Sequence, residues 1–178
     1  MAVLLDVPYF SQLNPSDGAL GWRQCQTSSV AMCLAFMKVR GIKDDTDYLR
    51  IVQKYGDTTD ANAHKKALAQ LNIMGKFSQT LSPDDLKASL DRGFPCAIGI
   101  LHHGPVNDPG GGGHWICVRG YDNYGWQVHD PYGDLDLVTG RWLRTSPNAG
   151  RGLRYSYRNT NPRWIPEGPG HGWGWLFG

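Results

Sequence analysis

The chain has 178 residues, enough for one domain that buries a real core. Its formal charge of +2 does not call for a nucleic-acid partner and suits at most a loose attraction to an acidic surface. No run approaches the roughly 20 apolar residues of a membrane helix, and the opening MAVLLDVPYF lacks a basic n-region and a long apolar stretch, so no signal peptide is read.

The first half reads as helices. RQCQTSSVAM opens an apolar helix from about Cys25 to Arg40, stopped by Gly41. Asp45 or Thr46 is suited to cap a second helix through Tyr55, and Asp60 a third, ANAHKKALAQLNIM, ending at Gly75. SPDDLKASLDRG carries the fullest signal: Ser82 as N-cap, Pro83 in the first turn, Asp85 behind it and Gly93 past the end. The second half reads as strands, at 95–101, 114–121, 125–130 and 152–158, each short, apolar or aromatic, and bounded by Gly, Asp or Asn. Helices followed by strands predict an α+β fold. Residues 159–178, rich in Gly, Pro and Trp, show no clear period and read as a tail packed on a single domain spanning 1–178.

Four cysteines, Cys25, Cys33, Cys96 and Cys117, form no CxxC pair, and a cytoplasmic origin disfavours disulfides. Cys33, Cys96 and Cys117 read as small buried hydrophobes. Cys25 differs by standing at a predicted helix start, where exposed N–H groups and the helix dipole favour a thiolate. Position alone leaves it open between nucleophile and packing residue.

A cysteine nucleophile needs a base, normally histidine, and the base an orienting acceptor. His64 lies on a polar helix face and is expected in solvent. His102 and His103 follow a strand, and His171 lies in the tail. Strand alternation separates the other two: His114 shares a face with Ile116 and Val118, Asp130 shares one with Trp126 and Val128, and His129 points the other way. For His114 and Asp130 to meet, the hairpin between them needs odd parity. A two-residue turn at Asn123 and Tyr124 would pair Cys117 with Asp130 and turn His114 away, so a three- or five-residue loop is expected, with Asp130 opposite Ile116. Asp130 also reads simply as a turn residue before Pro131. The GGGG of 110–113 has no following Gly-Lys-Ser/Thr and is no phosphate loop; it reads as a mobile rim beside His114 or as a linker. His114 and Cys117 fall on opposite strand faces, which argues against zinc, and no metal or cofactor is expected.

Three motifs in order, LDVPYFSQ (5–12), CQTSSVAM (25–32) and HWICVRGYD…HDPYG (114–133), resemble the papain-like cysteine peptidases of the bacteriocin-processing, double-glycine type and their C39-like relatives. Those carry DVPYFSQ, CGPTSLAM and HWVVVTGYD…DP. The resemblance covers roughly residues 5–135 and implies a papain-like fold whose nucleophile helix packs on a C-terminal antiparallel sheet. It implies Cys25 as nucleophile, His114 as base, Asp130 as its orienter and Gln12 as the oxyanion-hole side chain, with Gln24 as rival. Gln26 and Thr27 replace the family's Gly-Pro after the cysteine, which bears on the shape of the oxyanion turn. ILHHGPVNDPGGGGHW and the Trp-rich tail look, more loosely, like phage-encoded lysis enzymes. That second likeness implies a monomeric peptidoglycan hydrolase that leaves the host cytoplasm to cut a stem-peptide or cross-link amide. Alternatives are an N-acetylmuramoyl-L-alanine amidase using the same triad and a non-catalytic wall-binding module with the tail as its platform. Leader-peptide processing fits less well, because that role usually travels with transporter segments not found in this sequence.

Overall fold

The computed structural model describes residues 2–14 and 21–178. Among these the chain runs β1 (Val3–Leu4), α1 (Cys25–Phe36), α2 (Asp45–Val52), α3 (Ala61–Gln70), β2 (Gly75–Leu81), α4 (Pro83–Asp91), β3 (Cys96–Ile100), β4 (His114–Tyr121) and β5 (Gly125–His129). It continues through β6 (Asp134–Asp136), β7 (Arg141–Arg144), β8 (Leu153–Ser156), α5 (Tyr157–Trp164) and β9 (Gly172–Phe177). The main sheet, antiparallel throughout, has the order β2-β9-β3-β4-β5-β8, with β1 added to β4; β6 and β7 form a separate hairpin. The fold is the α+β, papain-like arrangement, with α1 against β3 and β4.

Alternation along the strands divides the core. Ala97, Cys117 and Trp175 face the helices α1 to α3 and pack with Val30, Leu34 and Tyr48. Ile98, Ile116 and Val128 face the other way, onto Leu86, Leu90 and Trp164 from α4 and α5. The helix α1 is buried from Gln26 to Leu34, so it acts as a central rod rather than an amphipathic surface helix.

Helix ends follow local chemistry. The helix α1 stops at Phe36, short of Arg40, because Lys38 turns left-handed at φ 56° and the Val39 N–H returns to the Leu34 carbonyl. Asp44, rather than Asp45 or Thr46, caps α2 by accepting from the Asp47 N–H. Asp45 instead accepts from the buried Ser28 hydroxyl at 2.7 Å and joins α2 to α1. Asp60 caps α3, which ends four residues before the expected Met74, because Asn72 turns left-handed at φ 56°. That early end frees residues 75–81 to form β2. In α4, Ser82 and Asp85 make a reciprocal capping box with Pro83 in the first turn.

The tail is a strand of the sheet rather than a segment laid over it. Between β2 and β3, β9 sits with Trp175 opposite both Phe77 and Ala97. Glycines on both strands admit it: a Cβ on Gly172 of β9 would lie 2.6 Å from the Trp164 ring, and one on Gly99 of β3 would overlap the Trp173 indole. The predicted strand at 152–158 stops at Ser156, which caps α5 through the Asn159 N–H.

The hairpin between β4 and β5 overturns the loop expectation. Tyr121 faces Trp126 and the Asp122 N–H bonds the Gly125 carbonyl, so the turn is the two-residue one at Asn123 and Tyr124. Parity is restored by a β-bulge instead. Gly120 faces Gln127 but Val118 faces Val128, which leaves Arg119 as an extra residue. Cys117 then pairs with His129, and Asp130 falls in line with Ile116.

Candidate active site

Cys25 is the first residue of α1, beside the unpaired N–H groups of the first turn, and no acidic side chain stands there to occupy them. It is half-buried, whereas Cys33, Cys96 and Cys117 are fully buried. It lines a cavity of about 340 Å³ with Gln12, Trp22, His102, His114 and Trp142.

His114 enters from the first position of β4, opposite Ile100. Its Nε2 lies 2.7 Å from Oδ1 of Asp130, and both side chains are buried. With Nε2 engaged there, Nδ1 is the nitrogen left for Cys25, whose thiol acts on the ring through a hydrogen bond and through charge. Burial alone would lower the His114 pKa. The Asp130 carboxylate, by charge and hydrogen bond, outweighs it, and Cys25 adds to the effect, so the pKa rises to about 10.

Asp130 is fixed from several sides. Its Oδ1 also accepts from the Tyr132 N–H at 3.0 Å, and Oδ2 accepts from the Tyr155 hydroxyl at 2.9 Å. The Tyr9 hydroxyl donates to its backbone carbonyl. Tyr155 comes from β8 and was not singled out in the sequence. Its inward position in GLRYSYR was the available signal.

Gln12 reaches the cavity on an N-terminal strap, residues 5–12, laid along β4 and β5. The Leu5 N–H donates to the Arg119 carbonyl, the Val7 carbonyl accepts from His129, and the Gln12 N–H donates to the Pro131 carbonyl. The Gln12 amide Nε2 donates to the Gly21 carbonyl at 2.9 Å, which fixes the side chain in the wall that it shares with Cys25. Gln24 is buried and faces a different cavity, with Arg23, Gln53 and Asp57.

Other residues of the wall were not assigned from the sequence. Trp142 of β7 meets the His114 ring edge to face at 5.1 Å and packs on Tyr132 at 4.6 Å. The alternation in DLDLVTGRW, with Leu135 paired to Trp142, was the sign of a hairpin there. His102 lies 5.7 Å from His114, and burial, with the neighbouring imidazoles His114 and His103, lowers its pKa to about 4. The loop carrying it is held from below by Arg163 of α5. That guanidinium is fully buried and donates to the carbonyls of Leu101, His103, Gly104 and Leu137. The GGGG segment is tied to this loop, since His103 and Gly110 exchange both backbone hydrogen bonds.

The remaining histidines separate cleanly. His64 is not in solvent but fully buried; its Nε2 donates to the Thr58 carbonyl and its Nδ1 accepts from the Tyr48 hydroxyl. Asn62, Lys65 and Lys66 near it on α3 are polar, yet Trp175 and Tyr48 pack against the ring. His129 points away from Asp130, donating to the Val7 carbonyl and accepting from the Gly152 N–H. His171 is exposed beside Glu167.

A thiol at a helix start, an imidazole held charged by a buried carboxylate, and an amide in the same cavity wall make an arrangement suited to acyl transfer. Among solved structures the chain is similar to a protein assigned as a C39-like peptidase from Bacillus anthracis, at 15% identity and TM-score 0.65, covering 100% of this chain and 98% of that one. It is similar to a double-glycine-motif protease from an AMS/PCAT transporter solved with its leader peptide, at 17% identity and TM-score 0.57, over 98% and 93% of the two chains. The peptidase domain of Streptococcus ComA, a bifunctional ABC transporter of a quorum-sensing pathway, matches at 15% identity and TM-score 0.56, over 88% and 91%. At these identities the likeness is one of fold. No curated protein matches the chain. The family model described as Peptidase_C39 like family matches residues 4–149, a span that takes in the strap, the start of α1 and the whole of β4 and β5. On that match, which covers most of its length, the chain belongs to the C39-like peptidase family.

Proposed function

We propose that the protein is a cysteine peptidase in which Cys25, His114, Asp130 and Gln12 carry the chemistry. The observation that carries this reading is the contact between the buried Asp130 and His114, which lines the Cys25 cavity. The Cys25 thiolate attacks the amide carbonyl carbon and forms a C–S bond. The oxyanion is received by the Gln12 Nε2 and the Cys25 backbone N–H. His114, protonated and oriented by Asp130, gives its Nδ1 proton to the amine as the C–N bond breaks. Water, deprotonated by the now neutral His114, attacks the thioester and releases the acid.

The substrate we propose is a stem-peptide or cross-link amide of bacterial peptidoglycan, reached after release from a host cytoplasm, as in phage-encoded lysis enzymes. Supporting it are the sequence resemblance and the cavity wall, where Trp22, Tyr132 and Trp142 stand and no Asp, Glu, Lys or Arg lines it among the described residues. Such a wall suits small neutral side chains and the faces of sugar rings. Leader-peptide cleavage is the second reading, favoured by the solved neighbour that holds a leader peptide.

Digestion of purified walls by wild type and Cys25→Ala, with mass spectrometry of the released fragments, tests the proposal. Stem-peptide fragments released by wild type alone support it. A free lactyl group on the glycan would point to the amidase variant of the same chemistry. Release by Cys25→Ala would sink the nucleophile. Intact walls together with cleavage of a synthetic leader peptide after Gly-Gly would move the substrate to the second reading, and binding to walls without cleavage of either would leave a wall-binding module.

A further inference from the structure

A second cavity, about 360 Å³, lies beside the strap, where His129 emerges on the face of β5 turned away from Asp130. Arg119, Arg151, His129, Tyr9 and Asp6 line it. Arg119 is the extra residue of the β4 bulge, so its side chain is placed by the bulge rather than by cross-strand pairing. Its Nη1 donates to the Leu5 carbonyl at 3.2 Å, and its Nη2 points to the Gly152 edge of the cavity, 3.5 Å from where a Cβ on that glycine would sit. Its Nε is buried without an acceptor among the described residues. Arg151, exposed, lies over the Tyr9 ring at 5.6 Å.

Neither guanidinium forms a salt bridge among the described residues. His129 does not neutralise them, since it is a neutral ring with both nitrogens engaged by backbone. Its pKa falls to about 4, first through burial and then through the charges of Arg119 and Arg151, so both cations act on this cavity. Asp6, exposed at the rim, is the one acidic side chain lining it among the described residues.

We propose that this cavity binds an oxyanion, a phosphate or carboxylate group held by Nη2 of Arg119 and the guanidinium of Arg151. The fork of Arg151 matches two oxygens of one anion, Arg119 adds a single N–H and its charge, and charge-assisted hydrogen bonds of this kind are about twice as strong as neutral ones. The Tyr9 ring fixes the Arg151 side of the site, and the strap backbone fixes Arg119. The site stands apart from the Cys25 cavity and does not depend on the peptidase reading.

Titration of the full chain with inorganic phosphate against chloride, at matched ionic strength, tests this. Wild type should gain thermal stability saturably, half-maximal at roughly 1–10 mM. Arg151→Gln changes an exposed residue and should fold normally, yet lose the effect by about tenfold or more in affinity. Asp6→Asn removes the opposing charge and should tighten binding by about threefold. Acetate and a poly(glycerol phosphate) run in parallel identify the source: a larger gain per phosphate with the polymer indicates an extended acidic polymer, equal gains a small free anion. No saturable shift in wild type, or an unchanged one in Arg151→Gln, overturns the proposal.

Discussion

The imidazole of His114 and the carboxylate of Asp130 meet on neighbouring strands in a register that the hairpin turn alone would not give. The two-residue turn sets Tyr121 against Trp126, and that register, continued, would place Asp130 opposite Cys117 and leave His114 on the wrong face. The bulge at Arg119 shifts the pairing by one and brings the two together.

Deleting Arg119 should therefore turn His114 through to the other face and cost at least about 10² in turnover, the low end of what a general base contributes. Arg119→Gln keeps the bulge and should retain activity within about threefold. Peptide hydrolysis by both variants, with circular dichroism to follow the fold, checks this. An active deletion variant would mean that the bulge does not set the contact.

Alkylation should single out Cys25. It is half-buried at the cavity, while Cys33, Cys96 and Cys117 are fully buried. Iodoacetamide followed by peptide mapping should modify Cys25 alone in the native protein, and the other three only after denaturation. His114→Ala should slow the native reaction. Equal labelling of all four would remove the structural case for the nucleophile.

His114→Ala should lower turnover by about 10²–10⁴. His129→Ala should instead lower stability, because it leaves the Val7 carbonyl and the Gly152 N–H without partners, at about 1–3 kcal/mol. Its turnover should stay within about threefold of wild type below the new thermal midpoint. Comparable losses of turnover in the two variants would show that His114 is not the base.

Gln12→Ala should cost about 10²–10³ in turnover, as loss of an oxyanion donor does, with little change in ground-state binding. Gln24→Ala should be the milder variant, since Gln24 faces a separate cavity. The opposite ranking would make residues 5–12 scaffold alone. If both variants stay active, the hole is built from backbone, and the Gln26 and Thr27 turn becomes the place to look.

Acid should destabilise the fold through His64. Burial, the largest cause, holds its pKa near 4, below the ordinary value of about 6.5, so the folded protein keeps it neutral while the unfolded chain protonates. Stability attached to His64 is present above about pH 6.5 and is lost as pH falls towards about 4, amounting to at most about 3 kcal/mol. The thermal midpoint should fall across that window, and His64→Gln should flatten the fall without abolishing it, because the pKa values of His102 and His129 are lowered in the same direction. An unchanged slope in His64→Gln would refute the assignment.

Local chemistry carried much of the fold in the sequence. The capping box of Ser82 and Asp85, the full length of β4 and the opposite facing of His114 and His129 all follow from spacing and side-chain type. Other elements were hidden by their composition. Pro162 inside α5 looks like a breaker, yet Ser156 caps the helix and Trp164 buries its end. The run GWGWLF shows no clear period, yet its glycines are where neighbouring elements press close, the Trp164 ring on Gly172 and the Ala97 carbonyl on Gly174. His64 was misplaced because helix polarity was judged from chain neighbours, while Tyr48 and Trp175, distant in sequence, cover it. The bulge at Arg119 left no mark in composition, so the right facing was reached with the wrong turn.

The position of β9 bears on the order in which the molecule can be made. The strands beside it, β2 and β3, share no hydrogen bonds with each other, and residues 172–177 fill the gap between them. While the ribosome still holds those six residues, the sheet stays split, with β2 and the edge of β3 open to wrong partners. Arg163, which braces the His102 loop, likewise follows Cys25 and His114 in the chain, so the wall of the Cys25 cavity is completed by residues made after both. A nascent chain would thus hold the Cys25 thiol before the sheet behind it is complete, and the finished cavity would follow the pairing of β9 with β2 and β3.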